Sequence, residues 1–466
     1  MAASPDLRKL GGTALVCVVI AAATYFGTIW LLGSGLGPGF GPEPIAYNSA
    51  IQEEKNDFVA DLSAAIQLIE ERWSYLEHRT ELGELDFDQL CEEARAILGD
   101  QPDAASLHLA LIHLVAGLHD GHAFVMAPEF VSLGKHRWPF TLVDVTEGVM
   151  AHTVQEELEG VEVGDLVLAV DGRPIELFIQ KAEKQVYASS DLARRVEALR
   201  HVASWDSAVD RTFLVRKPNG EQTEVTLALP YSFKKVPQAQ LYQEDRAHRM
   251  LDDGIAYFRP GDFSPPEDSG WPGPPEGRDT ILADTYAEFD RIFGELNDAR
   301  AMILDLRGNP GGTDLLGQFL VDRLVEGDYV YFQLSALYRR GWNDFSSHGS
   351  SAPKGEHSFA GKPLTVIVDE GTFSTADNVA GCLRDVHPDV RFVGRPNGAG
   401  TGAPRPFELP RTGTKIYFCT QRVKSASGRM SEGVPVEIEI PVKWTRDDVL
   451  QGRDPDLSAA IASLSR

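Results

Sequence analysis

The pattern of apolar and polar positions changes character several times along the chain. From Leu10 to Leu32 no charge interrupts an apolar run, and one helix needs about 20 such residues to span a bilayer. Between about 50 and 126, Phe58, Leu62, Ile66, Ile69 and Trp73 recur at helical spacing, as do Leu107, Leu111, Leu114 and Leu118, which predicts a helical cap domain. From about 135 to 230 the pattern becomes short apolar strands broken by glycine turns. Leu166 to Val170, for example, lies between Gly164-Asp165 and Asp171-Gly172.

Beyond Gly254 strands and helices alternate. Strands are expected at Ile255 to Phe258, Ala301 to Leu306, Leu364 to Val368 and Val390 to Val393. Helical runs follow two of them, through Leu315, Leu316, Phe319, Leu320 and Leu324, and through Ala376, Val379, Ala380 and Leu383. This order predicts an α/β core with a mostly parallel, helix-covered sheet and a binding crevice beyond the carboxyl ends of its strands. Residues 264 to 278, rich in Pro and Gly, read as a surface insertion. The expected division is a tip and transmembrane anchor at 1–33, a Gly/Pro linker at 34–49, the cap at 50–132, a β domain at 133–231, the α/β core at 232–448 and a C-terminal helix or tail at 449–466.

Charge adds orientation. Arg8 and Lys9 precede the apolar run, while Glu43, Glu53 and Glu54 follow it, so the positive-inside rule places everything after residue 40 outside the cytoplasm. A cleaved signal peptide, cut near Ala21 to Ala23, is the competing reading. The continuation of the run to Leu32 favours an anchor. The 69 acidic against 44 basic side chains, a formal charge of -25, speak against nucleic acid as partner. Cys17, Cys91, Cys382 and Cys419 are scattered without metal-ligand spacing and offer neither a zinc site nor a disulfide framework.

The candidate nucleophile is Ser374. It follows the 364–368 strand in Asp369-Glu370-Gly371-Thr372-Phe373-Ser374-Thr375-Ala376-Asp377, and a strand-to-helix turn exposes a hydroxyl where first-turn amides face a developing oxyanion. A helix-capping serine is the competing role. The second strand ends in Asp305-Leu306-Arg307-Gly308-Asn309-Pro310-Gly311-Gly312. If the two strands are neighbours, an amide of Gly311 or Gly312 joins that of Thr375 in an oxyanion hole.

These two stretches, with Glu432-Gly433-Val434, resemble in order and spacing the signatures of the C-terminal-processing and tricorn-type serine peptidases. The β domain around 163–175 resembles the hallmark strand pair of PDZ domains, although the opening carboxylate-binding loop is not recognisable. The resemblance implies a ClpP/crotonase-like core and hydrolysis of peptides or unfolded protein tails without a metal, ATP or other cofactor. One branch of the family uses a lysine about 25 residues beyond the serine, but the corresponding loop, Gly394 to Gly402, contains none. The other branch uses a histidine and a glutamate, matched by His122 in Leu118-His119-Asp120-Gly121-His122 and by Glu432. By that resemblance His122 is the general base and Glu432 orients it, directly or through another group. His119 is the nearest rival to His122. Gly121 stands where tricorn-type relatives can carry a serine, and Pro435 interrupts the pattern after Glu432. The rival functions are a catalytically idle family member that binds ligands and a PDZ-led scaffold.

Overall fold

A computed structural model describes residues 47–126, 136–156, 158–202, 204–205, 210–227, 246–265, 278–338, 341–352 and 355–465. The apolar run at 10–32 with Cys17, the linker up to residue 46 and the Pro/Gly insertion from 266 to 277 lie outside the described residues. Among those described, no helix is long and apolar enough to cross a membrane.

The chain forms a mixed α/β fold around one six-stranded sheet. Its strands are β1 (Ala247–Leu251), β2 (Ile255–Arg259), β3 (Ala301–Asp305), β4 (Leu364–Val368), β5 (Arg391–Gly394) and β6 (Ile440–Pro441), in that spatial order. Strands β2 to β6 run parallel, with Met302 beside Leu364 and Thr365 beside Arg391, while β1 is antiparallel to β2. Every residue of β2, β3 and β4 is buried, as expected of strands covered on both faces.

Alternate side chains divide between two layers. Ala256, Phe258, Met302, Leu304, Val366 and Val368 pack under helices α1 (Arg278–Glu295), α2 (Asp314–Leu324) and α3 (Thr375–Val386). Ile255, Tyr257, Ala301, Ile303 and Ile367 pack under α4 (Pro455–Leu464) on the opposite face. The predicted strands and the helices after β3 and β4 are therefore present. Helix α1, the flanking strands β1 and β6, and a small antiparallel sheet of 332–338, 341–342, 346–348 and 421–424 are additions the hydrophobic pattern did not single out.

Two further units flank this core. Helices at Asp57–Arg72, Phe87–Leu98 and Ala104–Ala116 bury Leu68, Ile69, Leu111 and Leu114 together with Phe407, Ile416, Phe418 and Cys419, which lie on or beside the hairpin 404–419. The helical part thus shares its core with a hairpin contributed from far along the chain. Residues 140–227 form an antiparallel sheet in the order 140–145, 148–154, 166–170, 211–216, 222–227, packed against helices Ile175–Glu183 and Asp191–Val202.

A buried ionic network fastens α4 to the loops at the carboxyl ends of the sheet. Asp305 accepts from Tyr257 Oη (2.8 Å) and pairs with Arg307 (2.6 Å) and Arg259 (3.1 Å). Arg307 and Arg395 converge on Asp456, at 3.2 and 3.1 Å, and the Trp444 indole donates to the same carboxylate at 2.9 Å. Removing one partner of a buried pair leaves a desolvated charge behind, at a cost of about 3 to 5 kcal/mol. Asp456→Ala is therefore expected to lower unfolding stability by about 3 kcal/mol, the low end of that range because Arg307 keeps Asp305 and Asp454. The shift in the guanidinium unfolding midpoint checks it.

Candidate active site

The loops leaving β3, β4 and β5 all emerge at the carboxyl end of the sheet, and Ser374 sits on the middle one. Its backbone is in the left-handed region, at φ 59° and ψ -121°, which costs a non-glycine residue of order 1–3 kcal/mol. Three hydrogen bonds hold it there. The Ser374 amide donates to Gly400 O (3.0 Å), Phe373 N to Asn309 O (2.9 Å) and Asn378 N to Ser374 O (3.0 Å). Although Ser374 occupies the N-cap position of α3, its side chain makes no capping hydrogen bond. Instead its Oγ lies 3.1 Å from His122 Nε2, a residue 252 positions earlier in the chain.

His122 is fully buried, and its ring stacks on Phe373 with centroids 4.4 Å apart. Its backbone amide donates to Asp120 Oδ1 at 2.8 Å, which fixes the turn that presents the ring. Burial pulls the imidazole pKa down to about 4, with the Asp120 charge opposing that shift. The ring is therefore neutral near pH 7. His119, the rival histidine, has a left-handed backbone, and its carbonyl accepts from Arg79.

Glu432 lies in the same buried cluster, but its carboxylate is occupied by other groups. Oε1 pairs with Arg79 Nη2 at 3.0 Å, and Oε2 accepts from the Thr401 amide at 2.9 Å. Burial and then the neighbouring Asp120 charge push its pKa up, while Arg79 and the Thr401 amide oppose that shift. The carboxylate nearest in bonding to His122 is Asp120, whose other oxygen accepts from Trp73 Nε1 at 2.9 Å. Asp120 was quoted in the sequence motif without a role, and Arg79 carried no local signal. Arg79 bridges Glu84, the Ser189 carbonyl, the His119 carbonyl and Glu432.

The glycine-rich turn after β3 departs from expectation at one position. The Gly311 amide donates to Asn309 Oδ1 at 2.9 Å and is therefore already engaged. Gly311 is needed for close approach, because with φ 95° a Cβ there would lie 2.7 Å from both Ser374 Cβ and the Thr375 amide. Among the described residues the Gly312 and Thr375 amides have no such partner, while the Thr375 hydroxyl donates to Gly312 O at 2.8 Å.

Gly121 has a steric reason. A Cβ at Gly121 would come within 2.8 Å of the Phe373 ring, and one at Gly398 within 2.9 Å. A hydroxyl still reaches this spot, from Ser189 Oγ, which accepts from the Gly121 amide at 2.8 Å. Gly400 completes the cradle, and a Cβ there would overlap the Phe373 ring outright.

A serine on a strained strand-to-helix turn, bonded to a buried neutral imidazole with amides at the helix start, is the arrangement of a serine hydrolase. Residues 255–442 match the model of peptidase family S41. This part of the chain is a peptidase family S41 domain, and the protein is a serine-type peptidase. Among curated proteins none matches the sequence. Among solved structures it resembles mature CPAF complexed with lactacystin, at 18% identity and TM-score 0.70, over 86% of this chain and 96% of that one. Mature CPAF alone gives 18% and 0.68, over 86% and 94%. The photosystem II D1 C-terminal processing protease gives 15% and 0.44, over 83% and 94%.

The glycine cradle generates a prediction. Gly400→Ala is expected to displace Phe373 and with it His122, lowering kcat on a peptide substrate by at least about tenfold, since small misplacements of reacting groups are costly. Steady-state kinetics read the loss. Retained Ser374 probe labelling at the normal rate would show that the ring tolerates the methyl group.

Proposed function

We propose that Ser374 is the nucleophile and His122 the general base of a peptidase that acts on peptides or unfolded protein tails. The observation that carries this reading is the 3.1 Å contact between Ser374 Oγ and His122 Nε2 on a turn held at positive φ. His122 takes the serine proton as Oγ attacks the scissile carbonyl, and returns it to the leaving amine. The Gly312 and Thr375 amides receive the oxyanion, which develops at the positive end of α3. Gly311 serves by its closeness rather than by its amide. Asp120 stabilises the imidazolium electrostatically, and Glu432 acts at one remove, by bonding Arg79 and Thr401 and so fixing the loops around the histidine.

The same reading covers the rest of the chain. The core is ClpP/crotonase-like, and the sheet of 140–227 is a PDZ-like domain that receives substrate tails by strand addition. The apolar run 10–32 anchors the protein, with the peptidase outside the cytoplasm. Membrane fractionation tests the anchor, and a soluble form beginning near residue 24 would replace it with a cleaved signal.

Two outcomes test the chemistry. A fluorophosphonate probe is expected to label the protein and not Ser374→Ala, and His122→Ala is expected to lose at least about 100-fold in kcat/KM, the lower range for general-base catalysis. Equal labelling of both proteins would remove Ser374 from its role. The second is the pH profile. The base must be neutral, and burial lowers its pKa to about 4. Thus kcat/KM should hold down to about pH 5 and fall through about 4, not through the ordinary 6.5. The unfolded chain binds that proton from about 6.5 downward while the folded chain does not. Stability is therefore lost as pH falls below 6.5, so circular dichroism must accompany the rates. An acid limb at 6.5 in folded protein would assign the base to a solvated group.

A further inference from the structure

The cluster behind His122 has a composition that the peptidase mechanism does not require. Asp120, His122 and Cys419 are each fully buried. One ligand atom from each, a carboxylate oxygen, a ring nitrogen and the sulfur, lies within 4.8 Å of the other two. Cys419 Sγ is 3.9 Å from Asp120 Oδ1. In a tetrahedral zinc site, bond lengths of about 2.0 to 2.3 Å place neighbouring ligand atoms about 3.4 to 3.7 Å apart. The three donors therefore need to close by only about an ångström.

A second observation points the same way. His122 Nε2 faces Ser374, which leaves Nδ1 as the ring nitrogen on the far side. Nδ1 is buried and, among the described residues, has no hydrogen-bond partner. Leaving a buried ring nitrogen without a partner is unfavourable, and a metal ion would satisfy it. Thiolate, imidazole and carboxylate together form a donor set suited to zinc. The Thr401 carbonyl, 3.6 Å from Cys419 Sγ, or a water would complete the tetrahedron.

We propose that Asp120, His122 and Cys419 form a binding site for zinc or a similar thiophilic divalent cation, and that its occupancy switches the peptidase off. Binding releases the Cys419 thiol proton to solvent and takes up the Nδ1 lone pair, so the neutral ring carries its one proton at Nε2. Nε2 then has no lone pair with which to accept the Ser374 proton. Only the inhibitory half rests on His122 being the base. The site hid from sequence spacing because Cys419 follows Asp120 by 299 positions and no two cysteines are involved.

The experiment uses the full chain with Co²⁺ and Zn²⁺ as probes. One equivalent of Co²⁺ is expected to produce a thiolate-to-cobalt charge-transfer band that Zn²⁺ abolishes. Zn²⁺ should suppress hydrolysis of a labelled unfolded protein, and a chelator should restore it. Cys419→Ser should lose the band and need at least about tenfold more Zn²⁺ for half-inhibition, referred to its own metal-free rate. Cys419→Ala carries the same comparison if the serine variant does not fold. Absence of the band from the unmodified protein overturns the site whatever the role of His122. A band that survives in the Cys419 variant assigns it to another thiol and also overturns the site. A band without inhibition overturns the switch, and His122→Ala kinetics then report separately on the base.

Discussion

The active centre depends on one buried ion pair, Arg79 with Glu432, 3.0 Å apart and both withdrawn from water. Desolvating two charges costs several kcal/mol per ion, and their attraction repays it only when the remaining hydrogen-bonding positions are also filled. Arg79 fills most of them with the carbonyls of His119 and Ser189 and with Glu84, only its Nε having no partner among the described residues, and Glu432 bonds the Thr401 amide. The two carbonyls and the amide belong to the loop that carries His122, the segment after the first helix of the β unit and the loop behind Ser374. The pair is stable only if all three segments are present, so it couples assembly of the site to folding of the whole chain.

The strain at Ser374 is maintained by the same architecture. A left-handed non-glycine residue persists only where its surroundings leave no alternative. Here the loops after β3 and β5 supply the Asn309 and Gly400 carbonyls that restrain the turn from both sides. Asp377 in turn ties the β5 loop to α3, accepting from the Asn397 side chain and, at 2.7 Å, from the Gly400 amide. Three adjacent parallel strands are needed to bring these loops together, and that is the contribution of the sheet to the chemistry.

Much of this was legible in the sequence. Buried parallel strands read as continuous apolar runs, so β2 to β5 and the serine at the end of β4 stand out locally. His122 and Glu432 emerged only because short motifs resembled a family. What Glu432 bonds to was not legible, since Arg79 lies far from it in sequence outside any motif, and the loop Gly394 to Gly402 shows no sign of what the Thr401 amide bonds. The Gly311 amide was misassigned because spacing reports where a glycine-rich turn lies and not which way each amide points; the Asn309 side chain decides that. Helix α1 does not stand out in the sequence because its start adjoins the Pro/Gly stretch, whose composition reads as a loop.

The electrostatics of the histidine set the terms on which such a site can work. Burial against Phe373 keeps the ring neutral at pH 7, so in the proposed mechanism all of it is available as base, but a low pKa also weakens the driving force for taking a proton. That weakness is confined to the resting state. Once the proton moves, the imidazolium lies beside Asp120 in a medium where water screens little, and a nearby anion is worth more there than at the surface. Asp120 is already anchored by Trp73 and by the His122 amide, so it need not reorganise when the charge appears. In the proposed mechanism, a carboxylate already held beside a desolvated ring stabilises the charged transition state more than the neutral ground state, and that difference, rather than ground-state basicity, accelerates the reaction.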